Sequence, residues 1–229
     1  IADELDFYGS YFDVNIDRDY TYISFCSLKK FFEPTLDVAR EILLHPAFPE
    51  REFNIYCQKR KQSLTIERQK VDMQSREMFA EALFGSNHPY GISTPEEAYD
   101  DLTTDDLREH YDGLYTAENS FVVCSGNIDD RVYNHIADLA SELRTGTSID
   151  IKFPKPTTTH YLERNIDSAL QSSVRVGRLL FPRTHPDFVG MQVVAAILGG
   201  YFGSRLMQNL REEHGYTYGV MAAMVNFER

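Results

Sequence analysis

The residues best placed by type and spacing to do chemistry lie in residues 199–224, GGYFGSRLMQNLREEHGYTYGVMAAM. Ser204 reads as the cap of a helix carrying Leu206 and Leu210, and Gly215 ends it. The run that leaves Gly215 reads as a strand with Tyr216, Tyr218, Val220 and Ala222 on one face. Arg211 falls in the last turns of the helix and Tyr218 early on the strand, so their side chains can converge near one helix end. A guanidinium fork and a phenolic hydroxyl both donate hydrogen bonds. Both suit a peptide carbonyl or the oxyanion that develops from it. The same residues admit a plainer role, with Arg211 complementing the helix dipole by ~0.3–1 kcal/mol and Tyr218 serving as an aromatic at the core edge. Spacing alone leaves both open.

Elsewhere the chemistry-bearing residues are scattered. No two of the seven histidines (His45, His88, His110, His135, His160, His185 and His214) stand within five residues, so none makes the i, i+4 pair of an HxxEH zinc site. There is no GxSxG elbow, P-loop or GxGxxG. Cys26, Cys57 and Cys124 form no CxxC pair, and their odd number is no disulfide framework; they are expected as small buried hydrophobes. Spacing by itself therefore yields no complete catalytic site.

The 35 acidic and 23 basic residues give a net charge of −12, which repels phosphate backbones and anionic lipid and excludes nucleic-acid and membrane-surface roles. The longest apolar run, residues 193–198, is far short of the ~20 residues that cross a bilayer, so no membrane insertion is expected. A soluble protein is expected, and the sequence does not choose between cytoplasm and periplasm. With 42% hydrophobic residues, 15 Phe and 14 Tyr, the 229-residue chain can bury a sizeable core.

The elements that must position these residues can be read in order. Residues 1–8 are the end of a helix stopped at Gly9, and residues 11–16 and 20–28 alternate as a hairpin around the turn residues at 17–19. Pro34 opens a helix to His45, and residues 50–84 form one long or kinked helix ending at Gly85. A loop carries His88-Pro89-Tyr90-Gly91, and Thr103-Thr104-Asp105-Asp106 is a capping box for the helix with Leu107, Tyr111 and Leu114. Residues 121–124 read as a short strand, and Asp129 caps a helix to Leu143. The Pro- and Thr-rich residues 145–159 read as a linker. Beyond it a strand (170–180), Pro182 and a helix from His185-Pro186-Asp187 to Leu198 repeat the order of residues 20–44, a hint of duplication. The expected fold is α+β: two similar domains, 1–150 and 151–229, each a mostly antiparallel sheet with helices on one face. The start at Ile1 and the stop after a strand-like run read as cuts, the first domain lacking its N-terminal part and the second its C-terminal part.

The stretch GSRLMQNLREEHGYTYGV resembles the C-terminal-half signature of the pitrilysin/insulinase family, peptidase family M16, which includes the mitochondrial processing peptidase. Arg211 and Tyr218 match the family's Arg/Tyr pair in type and seven-residue spacing. Residues 3–21 (DELDFYGSYFDVNIDRDYT), 81–91 (EALFGSNHPYG) and 101–127 are similar to further landmarks in the same order, so the resemblance covers most of the chain. It implies paired α+β domains that clasp an unfolded peptide. Zinc is held in one domain by the two His of HxxEH and a downstream Glu, and the Arg/Tyr pair is supplied by another domain or a partner chain.

The resemblance also says where the zinc motif would fall, and the chain departs from the family at two places. HxxEH would fall just before Ile1. The downstream Glu should lie within residues 60–67 (RKQSLTIE), where alignment back from residues 81–85 places Gln62, Ser63 or Ile66; Glu67 needs a register shift. Arg60 then stands where the family has an accompanying acid, and a cation there opposes Zn²⁺. Asp13 and Val14 replace the family's Asn-Ala on the edge strand that adds substrate as an extra strand, a contact made mainly through backbone hydrogen bonds.

The resemblance thus implies a subunit that supplies Arg211 and Tyr218, with Asp13 and Val14 also at the substrate, and binds no zinc of its own. It would not be active alone. An HxxEH-bearing partner of the same family, or a second copy, would complete a peptide-degrading pair. The alternatives are a self-sufficient zinc endopeptidase with HxxEH in the missing N-terminal segment and Glu67 as ligand, or a non-catalytic assembly protein that keeps only the scaffold.

Overall fold

A short amphipathic start needs a sharp stop, and Gly9 provides it. Helix α1 (Ala2–Tyr8) ends with Gly9 at φ 60°, ψ 32°, the left-handed region that a residue without Cβ enters freely, and Ser10 N–H returns to the Leu5 carbonyl at 2.9 Å. The computed structural model describes residues 1–149 and 151–227. They divide into two compact units, one of residues 1–16 with 21–176 and one of residues 17–20 with 177 onward. The 150/151 division expected from the sequence falls on Asp150, outside the described residues, as do Glu228 and Arg229 of the terminal run.

In the first unit, β1 (Tyr11–Ile16) and β2 (Thr21–Cys26) pair antiparallel, with Tyr11 opposite Cys26 and Ile16 opposite Thr21. The turn chemistry read at 17–19 is that of an Asx turn, the Asp17 carboxylate accepting from the N–H groups of Asp19 and Tyr20 at 2.7 Å each. Helices α2 (Phe32–Leu44), α3 (Glu50–Arg68), α4 (Val71–Phe84), α5 (Ala98–Asp101), α6 (Thr104–Leu114) and α7 (Asp130–Ser141) follow, and α8 (Phe188–Ala195) belongs to the second unit. α2 packs on α7, burying Val38 and Ala39 from one and Val132 and Leu139 from the other. Each large side chain so removed from water contributes about 1.5–3 kcal/mol. The architecture is α+β, helices with one antiparallel hairpin among the described residues.

Several local expectations are revised. The long helix is two helices, because the chain opens at Lys70 (φ −83°, ψ 129°). Side chains satisfy the break: Gln74 donates to the Arg68 carbonyl at 2.8 Å, and the Arg68 guanidinium donates to Glu77 at 2.8 and 3.1 Å and to the Thr94 carbonyl at 2.7 Å. The segments 121–124, 170–180 and the run after Gly215, expected as strands, are not assigned as strands; among the described residues only β1 and β2 form a ladder. Arg175 is held to α4 by side chains instead, donating to Asp72 at 2.6 Å and to the Ser75 hydroxyl at 3.0 Å. Of the cysteines, Cys57 is buried, whereas Cys26 and Cys124 are exposed thiols.

The segment read as a linker is pinned rather than loose. Phe153 stacks on His88 and Tyr90, with ring centroids 5.6 and 5.1 Å away. Thr157 and Thr159 N–H groups donate to the Phe84 and Ala82 carbonyls at 3.0 and 2.7 Å, which occupies the otherwise orphan carbonyls at the end of α4.

The capping box of α6 forms as its sequence requires. Asp106 N–H donates to the Thr103 hydroxyl oxygen at 3.2 Å, and Thr103 N–H donates to the Asp106 carboxylate at 2.7 Å. Hydrogen bonds from the Thr103 hydroxyl and then its backbone hold the Asp106 carboxyl below the usual carboxylate range. A depressed folded-state value means that this support is whole above the unfolded pKa of about 3.9 and fades as pH falls through the folded one. Thr103→Ala is expected to cost about 1 kcal/mol at neutral pH. Acid titration of helicity should show the difference from the parent shrinking at low pH; a constant difference would refute the coupling.

Candidate functional site

The second unit is organised by a close backbone crossing. α8 runs into a π-type turn, Ala196–Gly200, and Gly199 leaves helical geometry at φ −157°, ψ 17°. Its carbonyl accepts the Ala222 N–H at 3.1 Å, and a Cβ on Gly199 would sit 2.4 Å from the Ala222 nitrogen. Only glycine allows that approach. The chain returning through residues 216–222 is thereby held to the end of the preceding helix.

Between these crossing points lies a second π-type segment, Met207–Glu213. His214 N–H reaches back five residues to the Asn209 carbonyl at 3.2 Å, and Gly215 (φ 63°) turns the chain out while its N–H donates to the Arg211 carbonyl at 3.0 Å. Single-turn π geometry of this kind often marks functional positions in helices. Ser204 does not cap by its side chain: the residue is 0% exposed and, among the described residues, its hydroxyl oxygen finds no hydrogen-bond partner, although its carbonyl accepts the Gln208 N–H at 2.9 Å.

Arg211 lies in this π segment with its side chain 34% exposed. Its guanidinium carbon stands 4.6 Å from the centroid of the Phe202 ring, and its Nε is 3.6 Å from Glu212 Oε1. Tyr218 is 91% exposed. Thr217 closes a small turn around it, donating to the Gly219 carbonyl at 2.8 Å and accepting the Gly219 N–H at 3.2 Å. Tyr216 stacks on His214, rings 5.1 Å apart and 13° from parallel. Tyr218 thus faces solvent while Arg211 is half-buried, and among the described residues no hydrogen bond or ring contact joins one to the other. Phe202 was not singled out by the sequence reading, because its nine-residue separation from Arg211 spans a turn and follows no helical or strand period.

In the first unit, Asp13 and Val14 are exposed on β1, opposite Ser24 and Ile23, and no described strand lies along the other edge of β1. Glu67, near the end of α3, pairs with Arg60 at 3.5 Å. Among the described residues no group of three or more His, Cys, Asp and Glu side chains comes together to hold a metal ion. The donor set at Glu67, a carboxylate already facing a guanidinium, does not fit a zinc ion. No helix among the described residues is long and apolar enough to cross a membrane.

Comparison with known proteins adds an independent line. A family profile described as the peptidase M16 inactive domain matches residues 101–228. An uncharacterized zinc protease of Bacillus subtilis, YmxG, is 25% identical over 236 residues, covering all of this chain and 56% of the relative. An uncharacterized zinc protease of Rickettsia felis is 23% identical over 229 residues, covering 96% of this chain and 54% of the relative. The chain spans about half the length of these curated relatives. A crystal structure of a peptidase M16 inactive domain from Pseudomonas fluorescens matches with a TM-score of 0.81 at 22% identity, over 98% of this chain and 56% of that one, which shows a shared fold.

Proposed function

The chain belongs to the peptidase M16 family, and from that premise we propose that it is the non-zinc subunit of a peptide-degrading pair. Arg211 and Tyr218 grip the peptide, and an HxxEH-bearing partner of the same family, or a second copy, completes the enclosure. The observation that carries this reading is the placement of a half-buried Arg211 and an exposed Tyr218 on either side of the Gly215 exit, with the guanidinium lying over the Phe202 ring.

The roles follow from the chemistry of each group. The guanidinium donates to a backbone carbonyl of the bound peptide, and its charge favours that oxygen increasingly as negative charge develops on it. The Tyr218 hydroxyl adds a neutral donor. The edge of β1 at Asp13 and Val14, along which no described strand lies, takes an extended peptide as an additional strand through backbone hydrogen bonds. A surface of net charge −12 favours basic peptides, an attraction that weakens as salt rises. Zinc, held by the partner's HxxEH residues, would supply the water-activating chemistry, while this chain's Arg211 and Tyr218 hold the peptide.

The names of the curated relatives favour a second reading, a zinc endopeptidase in which the metal is held by the half of the longer protein that this chain does not span. Metal analysis separates the two. The full-length protein purified alone is expected to contain near-zero zinc and to lack peptidase activity until an HxxEH-type partner is co-expressed. Stoichiometric zinc in the protein alone would eliminate the non-zinc subunit and leave the second reading.

A further inference from the structure

We infer that Phe202 is the positioning residue for Arg211: its ring holds the guanidinium by a cation–π contact and so narrows the orientations in which Arg211 meets the peptide. This rests on the proposed gripping role of Arg211. An arginine side chain is long and rotamer-rich, and at a surface it disperses over many orientations unless something holds it. Two contacts hold this one. The Phe202 ring lies under the guanidinium carbon at 4.6 Å, and Glu212 Oε1 approaches Nε at 3.6 Å. The first places the cation's charge over the π face of the ring without consuming any of its N–H donors. The second faces only the Nε edge. Among the described residues no hydrogen bond occupies the two terminal nitrogens, so the remaining donors stay available for a carbonyl.

The surroundings fit a positioning platform better than a core contact. Phe202 remains 66% exposed, so its ring is not there to fill the interior. Gly203, beside it, sits where a Cβ would approach the Tyr201 ring at 3.1 Å. Backbone bonds tie the Phe202 turn to the segment that carries Arg211: Ser204 N–H donates to the Tyr201 carbonyl at 3.1 Å, and the Ser204 carbonyl accepts from the Gln208 N–H at 2.9 Å. The ring is thus anchored to the first turn of the segment whose later turn carries Arg211.

The test uses the full-length protein, with its partner where activity requires one, and a fluorescently labelled unfolded basic peptide. Phe202→Leu is expected to weaken peptide binding about two- to fivefold, Phe202→Trp to restore it, and Phe202→Leu to have no further effect in an Arg211→Ala background. Side-chain NMR of Arg211 is expected to show an upfield ring-current shift that Phe202→Leu abolishes while the melting temperature holds. A Phe202→Leu loss of the same size in the Arg211→Ala background would overturn the inference, since the ring would then bind the peptide itself. Absence of the ring-current shift in the parent would overturn it too. If Arg211→Ala leaves binding intact while the shift is present, the gripping role fails and the positioning role fails with it, though the stack itself stands.

Discussion

Replacing Arg211 with alanine is expected to lower peptide affinity, and kcat/KM of the completed pair, roughly ten- to hundredfold. The magnitude follows from the loss of a charged donor to a carbonyl, about 1.5–3 kcal/mol. Arg211→Lys should recover only a small part of it. An ammonium keeps the charge but has neither the planar fork nor the flat face that rests on Phe202 at 4.6 Å. Tyr218→Phe removes one neutral hydroxyl from a ring that is already exposed, so its expected cost is smaller, about 0.5–1.5 kcal/mol. Peptide-binding anisotropy and steady-state kinetics read both variants, and rising salt should weaken the parent more than Arg211→Ala. Equal rates for parent and variants would remove the gripping role and leave a scaffold of the family without that task.

The largest expected effect on stability lies at the loop after α4. Tyr90 is only 2% exposed, packs edge-on against Phe84 at 5.3 Å and stacks on Phe153, while its N–H donates to His88 Nδ1 at 3.1 Å. Tyr90→Ala should cost about 3–5 kcal/mol, the range for emptying a buried aromatic site. It should also release the segment around Phe153, which that ring helps hold. Gly91→Ala tests the same corner by crowding. A Cβ there would stand 2.1 Å from the Gly85 carbonyl oxygen, a backbone atom that cannot swing aside, so the turn must shift as a whole. Urea titration of the full-length protein measures both, as a lowered midpoint with little change in slope. A change below about 1 kcal/mol for Tyr90→Ala would contradict the packing described.

Legibility from sequence followed the range of the interactions. Gly9, the β1–β2 pairing and the Thr103/Asp106 box were readable because each is decided within a few residues, by a left-handed turn, an Asx turn and a reciprocal cap. Arg211 and Tyr218 were readable as a motif, and their placement around Gly215 depends only on a local helix exit. The break at Lys70 carries no glycine or proline. It is held by Arg68 reaching Glu77 and Thr94, contacts that become favourable only once three separate elements are in place. The pinning of residues 153–159 likewise depends on α4 offering its terminal carbonyls and on His88 and Tyr90 offering ring faces.

Composition and local pattern by themselves determined an acidic α+β protein with its chemistry-bearing groups near the C-terminal end. Only the tertiary structure decided what holds those groups. Ser204 is buried by neighbours that no cap motif encodes, and the exposure of Cys26 and Cys124 depends on which strand edges acquire partners. The stack of Arg211 on Phe202 joins residues nine apart through a turn, so it forms from the three-dimensional path of the chain and leaves no periodic trace along it. Short-range hydrogen bonds are written into adjacent residues, whereas packing and face-to-face contacts arise from the meeting of surfaces that are distant in sequence.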